Sequence, residues 1–408
     1  RVNCSAHFKN SAVGVPEYES HSQKVNCIAN NSHLHKHLNC AYGEKIGKMT
    51  RREHACQGFG AVRRSRCLWS EANAMHTQNT SKTVDAVAHQ LPQVTEPRNP
   101  GCPLDMDWVM QVQANTSAIE RRAASLPARR SVKKAYQAAW LCRAISCIDL
   151  TTLSGDDTEQ RVARLCAKAR QPVSADLLEQ LGLPDLTTGA VCVYHEMIPA
   201  AVRALRGTAI PVAAVSTGFP AGLSPLHLRI AEIVESVKAG ASEIDIVISR
   251  RHVLTGNWQA LYDEMKAFRH ACGDAHVKAI LATGELGSLR NVARASLVCM
   301  MAGEDFIKTS TGKESVNATL PVTLVMVRAI RDYYDQTGYR VGYKPAGGIS
   351  KAKDAITYLA LMKEELGDRW LRPDLFRFGA SSLLNDIERQ LEHHLTGTYS
   401  AGYRHASS

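Results

Sequence analysis

This chain of 408 residues lacks the long apolar runs of membrane and secreted proteins. None of its apolar runs is as long as a membrane span, and its first residues lack the compact apolar core of a secretory signal. It also does not begin with Met, and we expect its start to be a fragment or an artefact of the gene model. With 45% hydrophobic and 22% charged residues, the composition is typical of a soluble globular protein, and we expect a cytoplasmic location.

Excess positive charge is scarce outside the first 100 residues. Residues 1–100 contain 13 Lys and Arg against 7 Asp and Glu, so they carry most of the net charge of +10. This surplus lies in the part of the chain that is least likely to fold, so it gives little support for a nucleic-acid partner of the whole protein. We therefore expect neither nucleic acid nor a membrane as a partner.

The chain after residue 103 lacks paired cysteine motifs. None of its cysteines forms a CxxC pair, and most lie in apolar runs, which predicts reduced, buried thiols. These cysteines are Cys142, Cys147, Cys166, Cys192, Cys272 and Cys299. The histidines at 33, 35 and 37, near Cys40, lack the ligand spacing and the supporting fold of a zinc site. We expect no metal there.

Residues 1–97 show no sustained period of two or 3.6, and they are rich in Asn, Ser, His and Gly. This composition predicts an irregular, disordered, basic N-terminal extension. The pattern changes near Arg98, and we predict one catalytic domain at 98–400, followed by a short tail at 401–408.

Eight short β-rich runs alternate with helical stretches in the predicted domain. They are residues 144–150, 190–194, 211–216, 243–249, 276–282, 305–309, 340–344 and 375–379. Several are almost continuously apolar, as expected for parallel strands covered on both faces. Eight strand–helix units over roughly 260 residues predict an α/β fold, a (β/α)8 TIM barrel. An open doubly wound sheet is the alternative, but no GxGxxG motif follows the first run.

Two of the helices have clear sequence signals. Residues 131–141 form a helical pattern directly before the first run. Between the third and fourth runs, Ser224 is a candidate N-cap, Pro225 fits the first helical position and Gly240 marks the end.

Lys308 is the last residue but one of the sixth run, and hydroxyl residues and a glycine follow it at 309–312. In apolar surroundings, desolvation lowers the pKa of a lysine and leaves a neutral amine, which is a nucleophile towards carbonyls. The alternative is a lysine whose ammonium extends from the strand end into solvent. Since barrel enzymes gather their functional residues at the carboxyl ends of the strands, we favour the nucleophile.

Among the charged residues of the other runs, Asp149, Asp245 and Lys344 are the candidates for functional side chains. A fall in the pKa of Lys308 from about 10.4 to roughly 7–8 needs about 4 kcal/mol, and a second ammonium about 5 Å away would contribute on the order of 3 kcal/mol. Lys344 is a candidate for this ammonium, with Asp245 holding it and relaying protons, and Lys278 as a supporting residue. Structural ion pairing remains the alternative for Asp149 and Asp245.

Glycine-rich turns follow the last two runs, at 345–350 and 379–382. Barrels commonly bind phosphate with the loops after the seventh and eighth strands, through backbone N–H groups and a helix N-terminus. Gly312 and Lys313, which follow Lys308, would add a cation. These turns predict a phosphorylated substrate.

Five of these segments resemble the deoxyribose-phosphate aldolase family, and its animal branch in particular. They are residues 148–153, 243–247, 305–313, 344–348 and 378–382, with DFIKTSTGK and KPAGG as the most specific motifs. The resemblance runs from about Arg98 to about Tyr399. It implies a metal-independent class I aldolase, without a cofactor, that reversibly cleaves 2-deoxy-D-ribose 5-phosphate to acetaldehyde and D-glyceraldehyde 3-phosphate in deoxyribose phosphate catabolism.

The resemblance also implies roles for individual residues. Lys308 would be the Schiff-base lysine, and Asp245 and Lys344 would form a proton-relay pair. The substrate pocket would be lined by Asp149, Thr151 and Cys192, and the phosphate would be surrounded by Gly312, Lys313, Gly347, Gly348, Gly379, Ser381 and Ser382. The implied partners are small phosphosugar and aldehyde substrates, and a homodimer is left open.

Some positions depart from the pattern of the family. His195 occupies a position where we expect proline, and Ser350 follows Gly-Gly-Ile where the family often carries arginine, with Lys351 beside it. The phosphate affinity is therefore less certain than the chemistry. Tyr399 and Tyr403 lie near the C-terminus, and we assign neither the role of the terminal tyrosine that assists proton transfer in bacterial relatives.

Two other functions stay open at this stage. One is a different Schiff-base aldolase, or a transaldolase, acting on a longer phosphosugar, which product analysis would distinguish. The other is a catalytically silent barrel that serves as a binding partner, with its basic extension on RNA, although the presence of Lys308, Lys344 and Asp245 argues against it. A divalent-metal aldolase is disfavoured, because no cluster of His and Glu follows the strands.

Overall fold

The computed structural model describes residues 96–129 and 132–405. The predicted extension at 1–97 therefore lies almost entirely outside the described residues. Glu96 is already buried and forms ion pairs with Arg340 and Arg369. Arg98 forms an ion pair with Asp305 at 2.8 Å. These ion pairs thus hold the first described residues against the loops that precede the sixth and seventh strands.

Eight parallel strands form one sheet in the described part of the chain, in the order β7-β6-β5-β4-β3-β2-β1-β8. Their bounds are β1 Ile148–Thr151, β2 Ala190–Val193, β3 Val212–Ser216, β4 Glu243–Val247, β5 His276–Ile280, β6 Phe306–Lys308, β7 Gly342–Lys344 and β8 Phe378–Ala380. Parallel bridges between Tyr343 and Phe376, and between Ala346 and Gly379, connect β7 to the region of β8. The sheet is thereby almost closed, and the predicted (β/α)8 barrel is confirmed.

Helices alternate with the strands and cover the outside of the barrel. Among the described residues they are α1 Met106–Gln111, α2 Thr116–Arg129, α3 Lys134–Ser146, α4 Glu159–Arg170, α5 Ala175–Leu181, α6 Ile198–Ala204, α7 Leu226–Lys238, α8 Arg250–Leu254, α9 Trp258–Ala271, α10 Leu289–Ala302, α11 Leu320–Thr337, α12 Ala352–Leu366 and α13 Leu383–Thr396. No helix among these combines the length and the apolar character that a membrane crossing requires.

Several sequence-based boundaries were wrong. The seventh and eighth strands begin at Gly342 and Phe378 instead of 340 and 375, and two further boundaries differ for a clear local reason. The first strand begins at Ile148 instead of 144, because α3 continues to Ser146, beyond the predicted helix end at 141. Ala144 and Ile145 are fully buried, so an apolar run of this length fits a buried helix end as well as a strand. At the start of α7 the N-cap is Pro225 with extended backbone, one residue later than expected.

The apolar core lies mainly between the sheet and the helices, where outward-facing strand residues pack against the helices. The six cysteines after residue 103 are all free and buried, as predicted. Inside the barrel, Cys192, Ala213 and Val215 form a small separate apolar cluster on β2 and β3. Strands β1, β4, β5, β6 and β7 place charged side chains in the barrel interior, and Arg377 adds another directly before β8.

Candidate active site

Strand alternation positions the charged residues. Successive residues of a strand point to opposite faces, so Glu243 and Asp245 of β4 lie on the same face. The register pairs Asp245 with Lys278 of β5, and it pairs Lys308 of β6 with Lys344 of β7. These side chains therefore converge inside the barrel.

The carboxylate of Asp245 lies between two predicted catalytic lysines. Its Oδ2 accepts hydrogen bonds from Lys308 Nζ at 2.8 Å and from Lys344 Nζ at 2.7 Å. Lys344 Nζ also donates to Asp149 Oδ2. The structure thus brings together four of the residues predicted for chemistry or substrate contact, and all four are buried.

A second group of charged residues completes this arrangement. Lys278 Nζ donates to Glu243 Oε2 at 2.6 Å and to Asp245 Oδ1 at 2.9 Å. Arg377 donates to Asp149 Oδ1 at 2.6 Å and to Glu243 Oε1 at 2.9 Å. We call the seven residues joined in this way the buried charge network; they are Asp149, Glu243, Asp245, Lys278, Lys308, Lys344 and Arg377.

The lysines of the network differ in their electrostatics. Burial lowers the pKa of Lys308, and the charge of Lys344 adds to this effect, although Asp245 opposes it. For Lys344, the carboxylates Asp149 and Asp245 outweigh burial and raise the pKa. Lys278 behaves like Lys344, since its pKa is raised in spite of burial by Asp245 and Glu243. Lys308 is therefore the lysine of the network best suited to be a neutral amine.

The carboxylates of the network remain ionised because neighbouring positive charges outweigh the effect of burial. Burial alone would raise the pKa of Asp149, but Lys344 and Arg377 lower it below its ordinary value. The pKa of Asp245 lies well below its ordinary value, because three lysines outweigh burial. The charge of each carboxylate is thus stabilised by at least two cations.

A cavity of about 300 Å³ opens above Lys308. Its walls come from the ends of β1, β6, β7 and β8 and from the loops that follow them. The predicted residues among its lining are Thr151, Lys308, Gly312, Lys313, Gly347, Gly348, Gly379, Ser381 and Ser382, and Ser350 is also there. The predicted phosphate-binding residues therefore share one cavity with Lys308.

The turn after β6 is held by an acidic side chain that the sequence did not indicate. The Glu314 carboxylate accepts hydrogen bonds from the backbone N–H of Thr311 at 3.1 Å and of Gly312 at 3.2 Å. Lys313 Nζ donates to the carbonyl oxygen of Leu153 at 3.1 Å. The amide donors of this turn are thus already bound within the turn.

Gly347 is required by the shape of the turn after β7. Its φ of +83° lies in the left-handed region, and a Cβ at this position would lie 2.6 Å from the Asn317 side chain. Gly348 has a similar φ of +82°, but a Cβ there would meet no heavy atom within 4 Å. Gly347 therefore avoids both a steric clash and backbone strain, whereas Gly348 avoids backbone strain alone.

Other residues singled out in the sequence lie away from the cavity wall. Asp149 and Cys192 are fully buried and lie beneath the cavity instead of on its wall. His195 forms a hydrogen bond of 2.9 Å between its Nδ1 and Ser236 Oγ on α7. Tyr399 stacks on His393, and Tyr403 is almost fully exposed.

Sequence reasoning missed Glu243 and Arg377 and gave Lys278 only a supporting role. A signal existed for Glu243, since it lies two residues before Asp245 and must share its face of β4. Arg377 lies two residues before Gly379 in the eighth run, which is the same type of signal. Neither position revealed that its partner would be another charged side chain on a different strand.

Comparison with known proteins agrees with this geometry. The family model described as DeoC/LacD family aldolase matches residues 143–389. A deoxyribose-phosphate aldolase from Mus musculus is 62% identical over 305 residues, which are 74% of this chain and 96% of the relative. The Homo sapiens deoxyribose-phosphate aldolase is 59% identical over 307 residues, with the same two shares covered.

Solved structures share the fold at lower identity. A candidate deoxyribose-phosphate aldolase from Toxoplasma gondii superposes with a TM-score of 0.55 at 21% identity, over 65% of this chain and 98% of that one. A second candidate, from Coccidioides immitis, has a TM-score of 0.50 at 22% identity, over 69% and 99% of the two chains. On the matches in sequence, this chain belongs to the DeoC/LacD aldolase family, in the group of the deoxyribose-phosphate aldolases.

Proposed function

We propose that this protein reversibly cleaves 2-deoxy-D-ribose 5-phosphate to acetaldehyde and D-glyceraldehyde 3-phosphate through a Schiff base on Lys308. The observation that carries the proposal is the position of Lys308. Among the described residues it is the one member of the buried charge network that also lines the cavity. It is thus in contact both with proton-carrying groups below and with space for a substrate above.

The cavity suits a phosphorylated sugar of this size. The turns at 347–350 and 380–382 line the cavity with backbone that can offer N–H groups, and Ser381 and Ser382 stand at the start of α13. Lys313 adds a positive charge on the opposite side. A phosphate bound between these turns would leave the carbonyl end of the sugar directed towards Lys308.

The reaction would begin with attack of the neutral Lys308 amine on C1 of the sugar. The carbinolamine formed loses water, and the resulting iminium ion accepts electrons from the C2–C3 bond. Loss of the C3 hydroxyl proton breaks that bond and releases D-glyceraldehyde 3-phosphate. Asp245 and Lys344, with water, would then return a proton to C2 of the enamine, and hydrolysis would release acetaldehyde.

Covalent trapping tests the proposal directly. Borohydride in the presence of acetaldehyde should add an ethyl group to Lys308, which peptide mass spectrometry would locate. Lys308→Ala should show neither the adduct nor cleavage of 2-deoxyribose 5-phosphate, whereas Lys238→Ala, which removes an exposed lysine of α7, should keep both. An active wild-type enzyme without the adduct would refute the Schiff base.

The same assay separates the remaining alternatives. Product analysis with ketose phosphates distinguishes an aldolase or transaldolase for longer phosphosugars, and activity that survives a chelator supports the class I reaction without metal. We also propose that 98–400 is the catalytic domain, so a chain that begins at Glu96 should keep the activity of the full chain. The cytoplasmic location and the homodimer stay predictions, which cell fractionation and sedimentation would check.

A further inference from the structure

Three charged residues lie beneath the proposed reaction centre and have no role in the mechanism above. Lys278, Glu243 and Arg377 are buried, and none of them lines the cavity. Lys278 is linked to Lys308 through Asp245, and Arg377 is linked to Lys344 through Asp149. Glu243 joins Lys278 and Arg377 to each other.

The two oxygens of Asp245 have separate partners. Oδ2 accepts from Lys308 and Lys344, and Oδ1 accepts from Lys278. A carboxylate held on both oxygens cannot rotate without breaking an ion pair in a buried site, which is costly. Lys278 therefore fixes the orientation in which Asp245 faces the reacting lysine.

The charges of the network balance only when Lys308 is neutral. Lys278, Lys344 and Arg377 then supply three positive charges, against three negative charges from Asp149, Glu243 and Asp245. A proton on Lys308 would leave one uncompensated positive charge in the interior of the barrel, where an unpaired charge is costly. The balance thus favours the neutral amine that attack on a carbonyl requires.

We propose that Lys278 is a positioning residue that acts through Asp245 and supplies the positive charge that keeps Lys308 a neutral amine, with Glu243 as the opposing charge. This inference rests on the proposed function, in which Lys308 forms the Schiff base. The groups that face Lys308 are Asp245, Lys344 and the thiol of Cys192, and those that face Lys278 are Glu243, Asp245, Asp149, Lys344 and His276. Burial raises the pKa of Cys192 and lowers that of His276, so burial favours the neutral form of both groups.

Substitutions of the two residues should have opposite effects. In Lys278→Met the network is balanced only with a proton on Lys308, so adduct formation should need a higher pH. In Glu243→Gln the neutral amine is favoured further, so adduct formation should extend to a lower pH. A unit charge about 5 Å away, at an effective dielectric constant near 20, corresponds to a shift of roughly two pH units.

The experiment measures adduct formation on Lys308 against pH. The full chain is mixed with acetaldehyde and cyanoborohydride between pH 5 and 10, and the initial rate of modification is followed by mass spectrometry. Acetaldehyde carries no phosphate, so ionisation of the substrate does not contribute to the profile. The variants are Lys278→Met, Glu243→Gln, the double variant Lys278→Met/Glu243→Gln and the charge-conserving Lys278→Arg, each checked for folding by thermal unfolding.

The rate of adduct formation falls towards acid pH, and the midpoint of this fall is the quantity compared. We expect this midpoint to move to higher pH in Lys278→Met and to lower pH in Glu243→Gln. It should return to within about 0.3 pH unit of the wild type in the double variant and in Lys278→Arg. If a single variant does not fold, the double variant and Lys278→Arg still test whether charge alone sets the midpoint. Midpoints that move in the same direction, or a double variant far from the wild type, would overturn the inference, whereas a wild type without adduct would refute the proposed function instead.

Discussion

The buried charge network and the cavity above it are built from different chemical groups, and these groups suit different tasks. The network consists of seven charged side chains, all buried, and each is bonded to at least one of opposite sign. The cavity is built mainly from glycine, serine and threonine, with Lys313 as its cation besides Lys308. Proton transfer needs fixed charges away from water, whereas binding and release of a phosphate need donors that stay close to water.

Lys308 is the point where these two regions meet. It is 3% exposed, and that small opening is towards the cavity that its side chain lines. Its neighbours Lys344 and Lys278 are fully buried, and both have raised pKa values. One lysine can therefore be a nucleophile while two similar lysines remain charged.

The largest effect is expected from breaking the network at Asp245. Asp245→Asn removes the negative charge shared by three lysines, so proton transfer and the orientation of Lys308 should both suffer. We expect kcat to fall about 10²- to 10⁴-fold and the free energy of unfolding to fall by about 3–5 kcal/mol. Steady-state cleavage assays and denaturant unfolding measure the two quantities.

The control for Asp245 is an exposed ion pair. Asp368 is paired with Lys363 at the surface, and Asp368→Asn should leave both kcat and stability nearly unchanged. An Asp245→Asn enzyme that keeps kcat within about tenfold of the wild type would remove Asp245 from the proposed proton relay.

A smaller effect is expected from the cavity side, at Gly347. Gly347→Ala adds a Cβ that clashes with Asn317, so the turn after β7 must shift. We expect the KM for 2-deoxyribose 5-phosphate to rise about 10- to 100-fold, equivalent to about 1.4–2.7 kcal/mol of binding free energy, with little change in the KM for 2-deoxyribose. Gly348→Ala is the matched control, because it has the same backbone strain without the clash and should raise the KM less. Equal effects of both substitutions on both sugars would show that the turn does not bind the phosphate.

The smallest effect on activity is expected at a carboxyl group that lacks the cationic partners of the network. Glu304 is fully buried, and neither of its oxygens forms a hydrogen bond to the side chain of another described residue. Burial, with a further contribution from Asp305, raises its pKa well above the ordinary value. The folded protein therefore keeps a proton on Glu304 that the unfolded chain loses above about pH 4.5. The free energy of unfolding consequently falls as the pH rises.

Glu304→Gln should consequently be more stable than the wild type, and the difference should increase with pH. The gain is about 1.4 kcal/mol for each pH unit above the ordinary pKa, until the pKa of the folded state is reached. Denaturant unfolding at several pH values measures it, and Glu235→Gln on the exposed face of α7 is the control. A constant difference across pH would mean that Glu304 is ionised in the folded protein.

Much of this architecture could be predicted from local patterns. Eight runs with strand composition indicated eight strands, and the errors at 144 and at Pro225 arose where apolar or proline residues fit two local structures. Lys308 and the glycine turns were recognisable because neighbouring residues in the chain define both the strand end that carries the lysine and the turns that contain the glycines. The role of Glu314 was not recognisable, because its carboxylate acts on amides whose orientation depends on the folded turn.

The sequence by itself determined the order of the elements, the glycine turns and the position of the lysine that we propose as the nucleophile, since each follows from residues close together in the chain. Only the tertiary structure decided which charges meet. Alternation along a strand assigns a side chain to one face, but the stagger between strands sets its depth and its partners. That stagger places Glu243 and Arg377 below Lys308, and it places Asp149 and Cys192 beneath the cavity instead of on its wall.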